Sequence, residues 1–207
     1  MTAILDYGVG NLFSLVSSFE KIGEAAVITA DAEIIRRADR IILPGVGAFR
    51  DAAEKLKTSG LVPVLSEQIA KGKPVMGICL GMQLLFDKSF EYGEYDGLGL
   101  IHGEVRSIGE RVKDLKIPHM GWNALHFRRE HPLFRYIREG DHVYFVHSYC
   151  AVNCEDSLLA VSEYGMDITA AVAKENVMGC QFHPEKSGEV GLNILRAFCE
   201  MKEGALC

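Results

Sequence analysis

A chain of 207 residues, 48% of them hydrophobic, is long enough to bury one substantial core. Its formal net charge of −6 argues against a dedicated nucleic-acid binder, because phosphate binding needs a basic footprint. No apolar run approaches the roughly 18 residues of a membrane span; the N-terminus lacks a signal-peptide pattern, so the expected home is the cytoplasm, with the six cysteines reduced.

The first half alternates between two periodicities. Ala3–Leu5 predicts a strand, and Leu12, Leu15, Val16, Phe19 and Ile22 mark one face of a helix that Gly23 stops. A second strand at Ala26–Thr29 and a short helix at Ile34–Ala38 follow. Arg40–Leu43 is a third strand, ended by Pro44-Gly45. Helical pattern runs from Phe49 to Lys71 with a break near Gly60, then Pro74–Ile78 predicts a strand and Leu80–Phe86 a helix. This order predicts right-handed crossovers and a mostly parallel central sheet covered by helices on both faces.

The second half is dominated by strand patterns: Leu98–Val105, Ala124–Phe127, His142–Val146, Leu159–Glu163, Ile168–Lys174 and Val177–Phe182. Short connections rich in Gly, Asn and Asp make these appended antiparallel hairpins. Val177–Phe182 returns to the main sheet under a last helix, Glu189–Met201. With no repeat, low-complexity tract or linker, the expectation is a single α/β domain over residues 1–207.

Two stretches carry chemistry. In GICLG, residues 77–81, Cys79 ends the fourth strand and Leu80 opens a helix. Open α/β sheets carry their sites at the carboxyl ends of strands, and G-x-C-x-G is the thiol counterpart of the G-x-S-x-G nucleophile elbow. Gly77 and Gly81 would let neighbouring chain pass close. The helix N-terminus would favour thiolate, and the Leu80 amide could donate to an oxyanion. The same pattern fits a small buried thiol packed between glycines.

In QFHPE, residues 181–185, His183 and Glu185 would leave the same face of an extended chain. Pro184 would keep helix out of that step. A carboxylate beside an imidazole fixes its tautomer and stabilises imidazolium, the third-member role of a triad. Taken alone, the same residues fit a surface His-Pro-Glu turn better. The H-x-E of zinc deaminases needs a P-C-x-x-C that is missing, and Cys150 and Cys154 have no partner pair at zinc spacing. No metal and no cofactor are expected. Of the rival bases, His119, His126, His131, His142 and His147 have no acid at the His183 spacing, while His102 has Glu104 there. The single G-x-G of YGVGN is weak evidence for phosphate binding and reads as a tight turn.

Taken in order, PGVGAF (44–49), GICLGMQ (77–83) and QFHPE resemble the class I, triad-type glutamine amidotransferases over nearly the whole chain. The resemblance implies that family's fold and chemistry: hydrolysis of the glutamine side-chain amide, with ammonia passed to a partner active site. Cys79 would be the nucleophile, His183 the general base and acid, and Glu185 the orienting acid. DYGVGNL (6–12), KIPHMGWN (116–123) and FVHSY (145–149) look like the glutaminase subunits of imidazole glycerol phosphate synthases.

On that likeness, L-glutamine lies near Gly45, Gly47 and Gln83 and along the backbone of Ser148 and Tyr149. PGVG would be a mobile oxyanion segment, in which Gly45 permits a peptide flip and the Val46 amide joins that of Leu80. Pro118, Met120 and Trp122 would meet a separate (β/α)8-barrel cyclase chain, with Lys186 facing it. By residue type alone, Trp122 fits a core, Lys186 fits solvent, and the interrupting Gly121 argues for a loop. The implied reaction gives glutamate and ammonia through a γ-glutamyl thioester on Cys79. The cyclase would use the ammonia to make imidazole glycerol phosphate and an aminoimidazole carboxamide ribotide in histidine biosynthesis. The alternatives are a glutaminase for another amidotransferase, a γ-glutamyl hydrolase, or a non-catalytic regulatory subunit.

Overall fold

The early strands have no polar face. Thr2–Leu5 (β1), Arg40–Leu43 (β3) and Val75–Ile78 (β4) are buried at every position, the signature of strands covered on both sides. The computed structural model describes residues 1–202 and 204; Cys207 lies outside them. With β2 (Ala26–Thr29) and β14 (Val177–Cys180), these strands form a parallel array in the order β2-β1-β3-β4-β14. Three antiparallel strands extend it: β13 (Asp167–Lys174), β12 (Leu158–Glu163) and β9 (His126–Phe127).

Alternation along the strands divides the interior in two. Ile4, Ile42, Met76 and Ile78 pack with Leu15 and Phe19 of α1 (Leu12–Lys21) and with Ile194, Leu195 and Phe198 of α6 (Gly188–Cys199). Ala3, Leu5, Ile41, Leu43 and Val75 face α2 (Ala32–Arg37), α3 (Phe49–Thr58) and α4 (Leu61–Ala70). The Asp31 carboxylate caps α2 by accepting from Glu33 and Ile34. Gly60, at φ +74°, separates α3 from α4, as its position in the sequence predicts.

Helix α5 (Leu80–Gln83) is a single turn, shorter than the predicted Leu80–Phe86. The cause also removes most of the strand predicted at Leu98–Val105. The carbonyls of Leu84, Leu85 and Phe86 accept from the amides of 98–101, so that segment docks on the helix end instead of pairing. Only β7 (Glu104–Ser107) is extended, in a small sheet with β5 (Lys88–Ser89), β6 (Tyr95–Asp96) and β11 (Tyr149–Val152). The sequence patterns miss β11, which follows a break at Ser148.

The remaining two-stranded sheet pairs β8 (His119–Ala124) with β10 (His142–His147). The first is a regular strand where the sequence suggests a loop. Gly121, opposite Phe145, takes φ +145°, which side-chain-bearing residues avoid, and so keeps the ladder continuous. The predicted strand Ala124–Phe127 is split at Leu125, whose amide turns to Asp141 O at 2.9 Å. No helix among the described residues is long and apolar enough to cross a membrane.

Candidate active site

Cys79 sits at φ 55°, ψ −112° between β4 and α5. A side-chain-bearing residue held there costs about 1–3 kcal/mol. The backbone enforces it: the Cys79 amide donates to Cys180 O at 2.8 Å, and its carbonyl accepts from Gln83 at 3.1 Å. Glycines are required around it. A Cβ on Gly81 would lie 1.9 Å from Leu43 O, one on Gly77 2.6 Å from Gly81 O, and one on Gly45 2.5 Å from Gly81 N. The ends of β3 and β4 therefore interlock with α5. Tyr7 steadies the same corner by donating its buried hydroxyl to Pro44 O at 2.5 Å, and burial raises its pKa.

The imidazole comes from the neighbouring strand. β14 runs parallel to β4 with Cys180 opposite Ile78, so the chain leaving β14 emerges beside Cys79. The His183 amide donates to Tyr144 O at 2.9 Å, and Ser187 Oγ donates to His183 O at 2.6 Å. Pro184–Lys186 then forms a 3-10 turn. The His183–Glu185 contact is thus made by this turn and not by the extended backbone expected from the spacing, because a proline suits the first helical position. His183 Nδ1 and Glu185 Oε1 are 2.8 Å apart, with side chains 3% and 2% exposed. Burial pulls the His183 pKa down, but the Cys79 sulfur and the Glu185 carboxylate outweigh it and raise it to about 9.

Two glutamines complete the surroundings of the sulfur. Gln181 Nε2 donates to Cys79 Sγ at 3.7 Å. Gln83 Nε2 donates to Gln181 Oε1 and to Tyr149 O, both at 3.0 Å. With α5 only one turn long, its dipole is small, and Gln181 supplies a directed donor in place of the helix end that the sequence suggests. Cys79, Leu80, Gln83 and His183 open onto a cleft of about 360 Å³.

The model of the class-I glutamine amidotransferase family matches residues 3–201. The chain belongs to this family. It is 50% identical over 198 residues to "Imidazole glycerol phosphate synthase subunit HisH" of Lactococcus lactis, covering 95% of this chain and 96% of that one. The HisH of Bacillus cereus is 51% identical over 199 residues (96% and 93% covered). Among solved structures, a glutamine amidotransferase superposes with a TM-score of 0.75 at 18% identity, covering 96% of this chain and 97% of that one. PurLQS of Thermotoga maritima gives 0.73 at 19%, covering 96% of each. At those identities the structures show a shared fold.

This amidotransferase brings most of the residues expected from its sequence to one cleft. Val46, Gly47, Pro118, Ser148, Tyr149 and Lys186 line it with the four residues above. Gly45 lies behind, against the elbow. Glu185 is buried behind His183, with Oε2 lacking a hydrogen-bond partner among the described residues. The carbonyl of Ser148 is taken by the Ile108 amide, and that of Tyr149 by Gln83 and His147. Met120 and Trp122 stand outside on β8, 59% and 53% exposed, so Trp122 is not core. Trp122 meets Tyr144 edge-on, and the Lys186 ammonium lies over the same Tyr144 ring.

Glu91 and Tyr92 also line the cleft, and the residue patterns give no sign of them. Glu91 Oε2 accepts from the Phe49 amide at 2.6 Å, and burial raises its pKa. These two occupy an irregular loop with no periodicity to mark a site. The other described cysteines are packing residues. Burial drives Cys150 up to about 12 and Cys199 to about 11, far from thiolate. Among the described residues no cluster of three His, Cys, Asp or Glu could hold a metal.

Proposed function

We propose that this chain is the glutaminase subunit of an imidazole glycerol phosphate synthase. One observation carries the catalytic assignment: a cysteine on a strained elbow faces the same cleft as an imidazole whose Nδ1 is held by a buried carboxylate. Nδ1 is committed to Glu185, so Nε2 takes the Cys79 proton. The thiolate attacks the side-chain amide carbon of glutamine, and the carbonyl π pair moves to oxygen. Amides of Leu80 and Val46 stabilise that oxyanion. When it collapses, the C–N bond breaks and His183 returns the proton to the leaving nitrogen, releasing ammonia. Water then attacks the γ-glutamyl thioester with His183 as base, giving glutamate and restoring the thiol.

Glutamine is a zwitterion at its far end. Glu91 is the carboxylate of the cleft wall that can face its ammonium. Gly47, Gln83, Ser148 and Tyr149 shape the channel between the two ends. The exposed Met120 and Trp122, with Pro118 and Lys186 at the cleft rim, form the surface that meets the (β/α)8-barrel cyclase, and ammonia passes there without entering bulk water. The identities near 50% to HisH subunits support this partner over another amidotransferase or a γ-glutamyl hydrolase. The test is glutamate release by the chain alone, with the cyclase subunit, and with the cyclase and its nucleotide ligand. Turnover equal in all three conditions would remove the cyclase from the reading, and no turnover in any would remove the triad.

A further inference from the structure

Two buried histidines take no part in the chemistry above. His119 on β8 and His147 on β10 face each other in the strand register and are 0% and 7% exposed. His119 Nδ1 lies 2.9 Å from His147 Nε2, and His147 Nδ1 lies 2.8 Å from Tyr149 O. That carbonyl also accepts from Gln83, which bonds Gln181, which donates to the Cys79 sulfur. A hydrogen-bonded line therefore runs from β8, which exposes Met120 and Trp122, to the nucleophile.

The proton positions follow from the chemistry of the ends. A carbonyl only accepts, so His147 Nδ1 carries hydrogen and its Nε2 is an acceptor. His119 Nδ1 must then be the donor between the rings. Burial lowers the pKa of both, that of His147 to about 3, so both are uncharged at neutral pH. Two uncharged rings hold two ring protons, which leaves His119 Nε2 an acceptor. The Asn123 amide oxygen lies 2.9 Å from it while the NH2 of that amide donates to Glu163 O at 3.3 Å, so a half-turn that brings the NH2 to His119 exchanges the Glu163 bond for this one. Phe145 and Tyr164 both stack on the His119 ring, at 4.8 and 4.1 Å, and hold its plane.

We propose that His119 and His147 are positioning residues for glutamine cleavage: together they fix the Tyr149 carbonyl, and through it Gln83 and Gln181, against the Cys79 sulfur. This rests on the glutaminase reading above. The test is made on the full chain with the cyclase subunit and its nucleotide ligand, measuring kcat and KM for glutamine. His119→Phe keeps an aromatic ring in the stack and removes both nitrogens. It should lower kcat/KM about tenfold, because the His147 acceptor is left buried and unpaired. Combined with Gln83→Ala, it should cause no loss beyond Gln83→Ala alone, since both act on one line. His147→Asn, whose amide can still donate to Tyr149 O, should retain most activity where His147→Leu does not.

Nitrogen-15 NMR of the wild-type chain should show the His147 ring protonated at Nδ1. An unchanged kcat/KM in His119→Phe, losses that simply add, or an Nε2-protonated His147 would each overturn the relay. A wild-type complex that releases no glutamate would instead sink the glutaminase reading, while the NMR result would still decide the proton arrangement.

Discussion

Replacing Glu185 by glutamine removes one negative charge from a site that is 2% exposed and changes little else in shape. His183 stands at about 9 against an ordinary 6.5, with the Cys79 sulfur and the Glu185 carboxylate as the groups that raise it. One pKa unit is about 1.4 kcal/mol, so the net stabilisation of imidazolium is on the order of 3 kcal/mol. Cys79 and Glu185 both hold the proton there against the pull of burial. Losing one of the two makes the imidazolium easier to deprotonate, so the alkaline limb of kcat/KM should move down from about 9 toward the ordinary 6.5. In addition, kcat should fall by up to about 10⁴, because the amide no longer enforces one tautomer.

Stability gives a second reading with its own sign. A raised folded pKa stabilises the protein below pH 6.5, and that contribution is lost as pH rises through about 9. The urea midpoint of the wild type should therefore drop between those limits more steeply than that of Glu185→Gln. The assay is glutamate release across pH 6–10 with cyclase present, alongside urea unfolding at the same pH values. An alkaline limb and a pH slope both unmoved by the substitution would refute the ion-pair reasoning.

Other outcomes are equally concrete. Cys79→Ala should abolish glutamine-dependent synthesis by the complex and leave ammonia-dependent synthesis in place; residual glutaminase turnover would displace Cys79 as nucleophile. If the oxyanion segment rests with a donor missing, cyclase and nucleotide should raise turnover by about 10²–10³-fold. Gly47→Ala probes that segment cleanly, since its Cβ meets nothing within 4 Å while φ +95° resists a side chain. It should reduce the response to nucleotide, with a fall in melting temperature limited to the cost of that strained φ, about 1–3 kcal/mol. Gly45→Val, by contrast, drives a Cβ to 2.5 Å from Gly81 N and should collapse the elbow, lowering melting temperature and activity together. His147, held near 3 by burial, contributes stability above pH 6.5 that is lost as pH falls toward 3. His147→Asn should therefore flatten the loss of urea resistance between pH 7 and pH 5.

The parallel half of the fold is legible in the sequence because its strands are short, wholly apolar runs separated by helical repeats. The elbow is legible because only glycine fits at 77 and 81. His183 and Glu185 are legible as a pair, though the backbone joining them is not, since spacing by two fits both an extended chain and a tight turn. Strand β8 is hidden by Gly121, which looks like an interruption and in fact permits the pairing. The His119–His147 contact is hidden because its members are 28 residues apart and meet only through the β8/β10 register. Glu91 and Gln181 matter through where their side chains end, which no local pattern encodes.

The order of strands also bears on how the molecule is made. β14 joins the two parts of the main sheet: β4 lies on one side, β13 on the other, and among the described residues nothing else pairs across that gap. A chain emerging from the ribosome builds its N-terminal strands first, at roughly 5–20 residues per second. The central slot must stay empty until residues 177–180 arrive, and the edges of β4 and β13 are unpaired until then. The same strand delivers His183. A nascent or truncated chain thus has Cys79 long before it has His183 and Glu185, and completion of the sheet and assembly of that cluster become a single event.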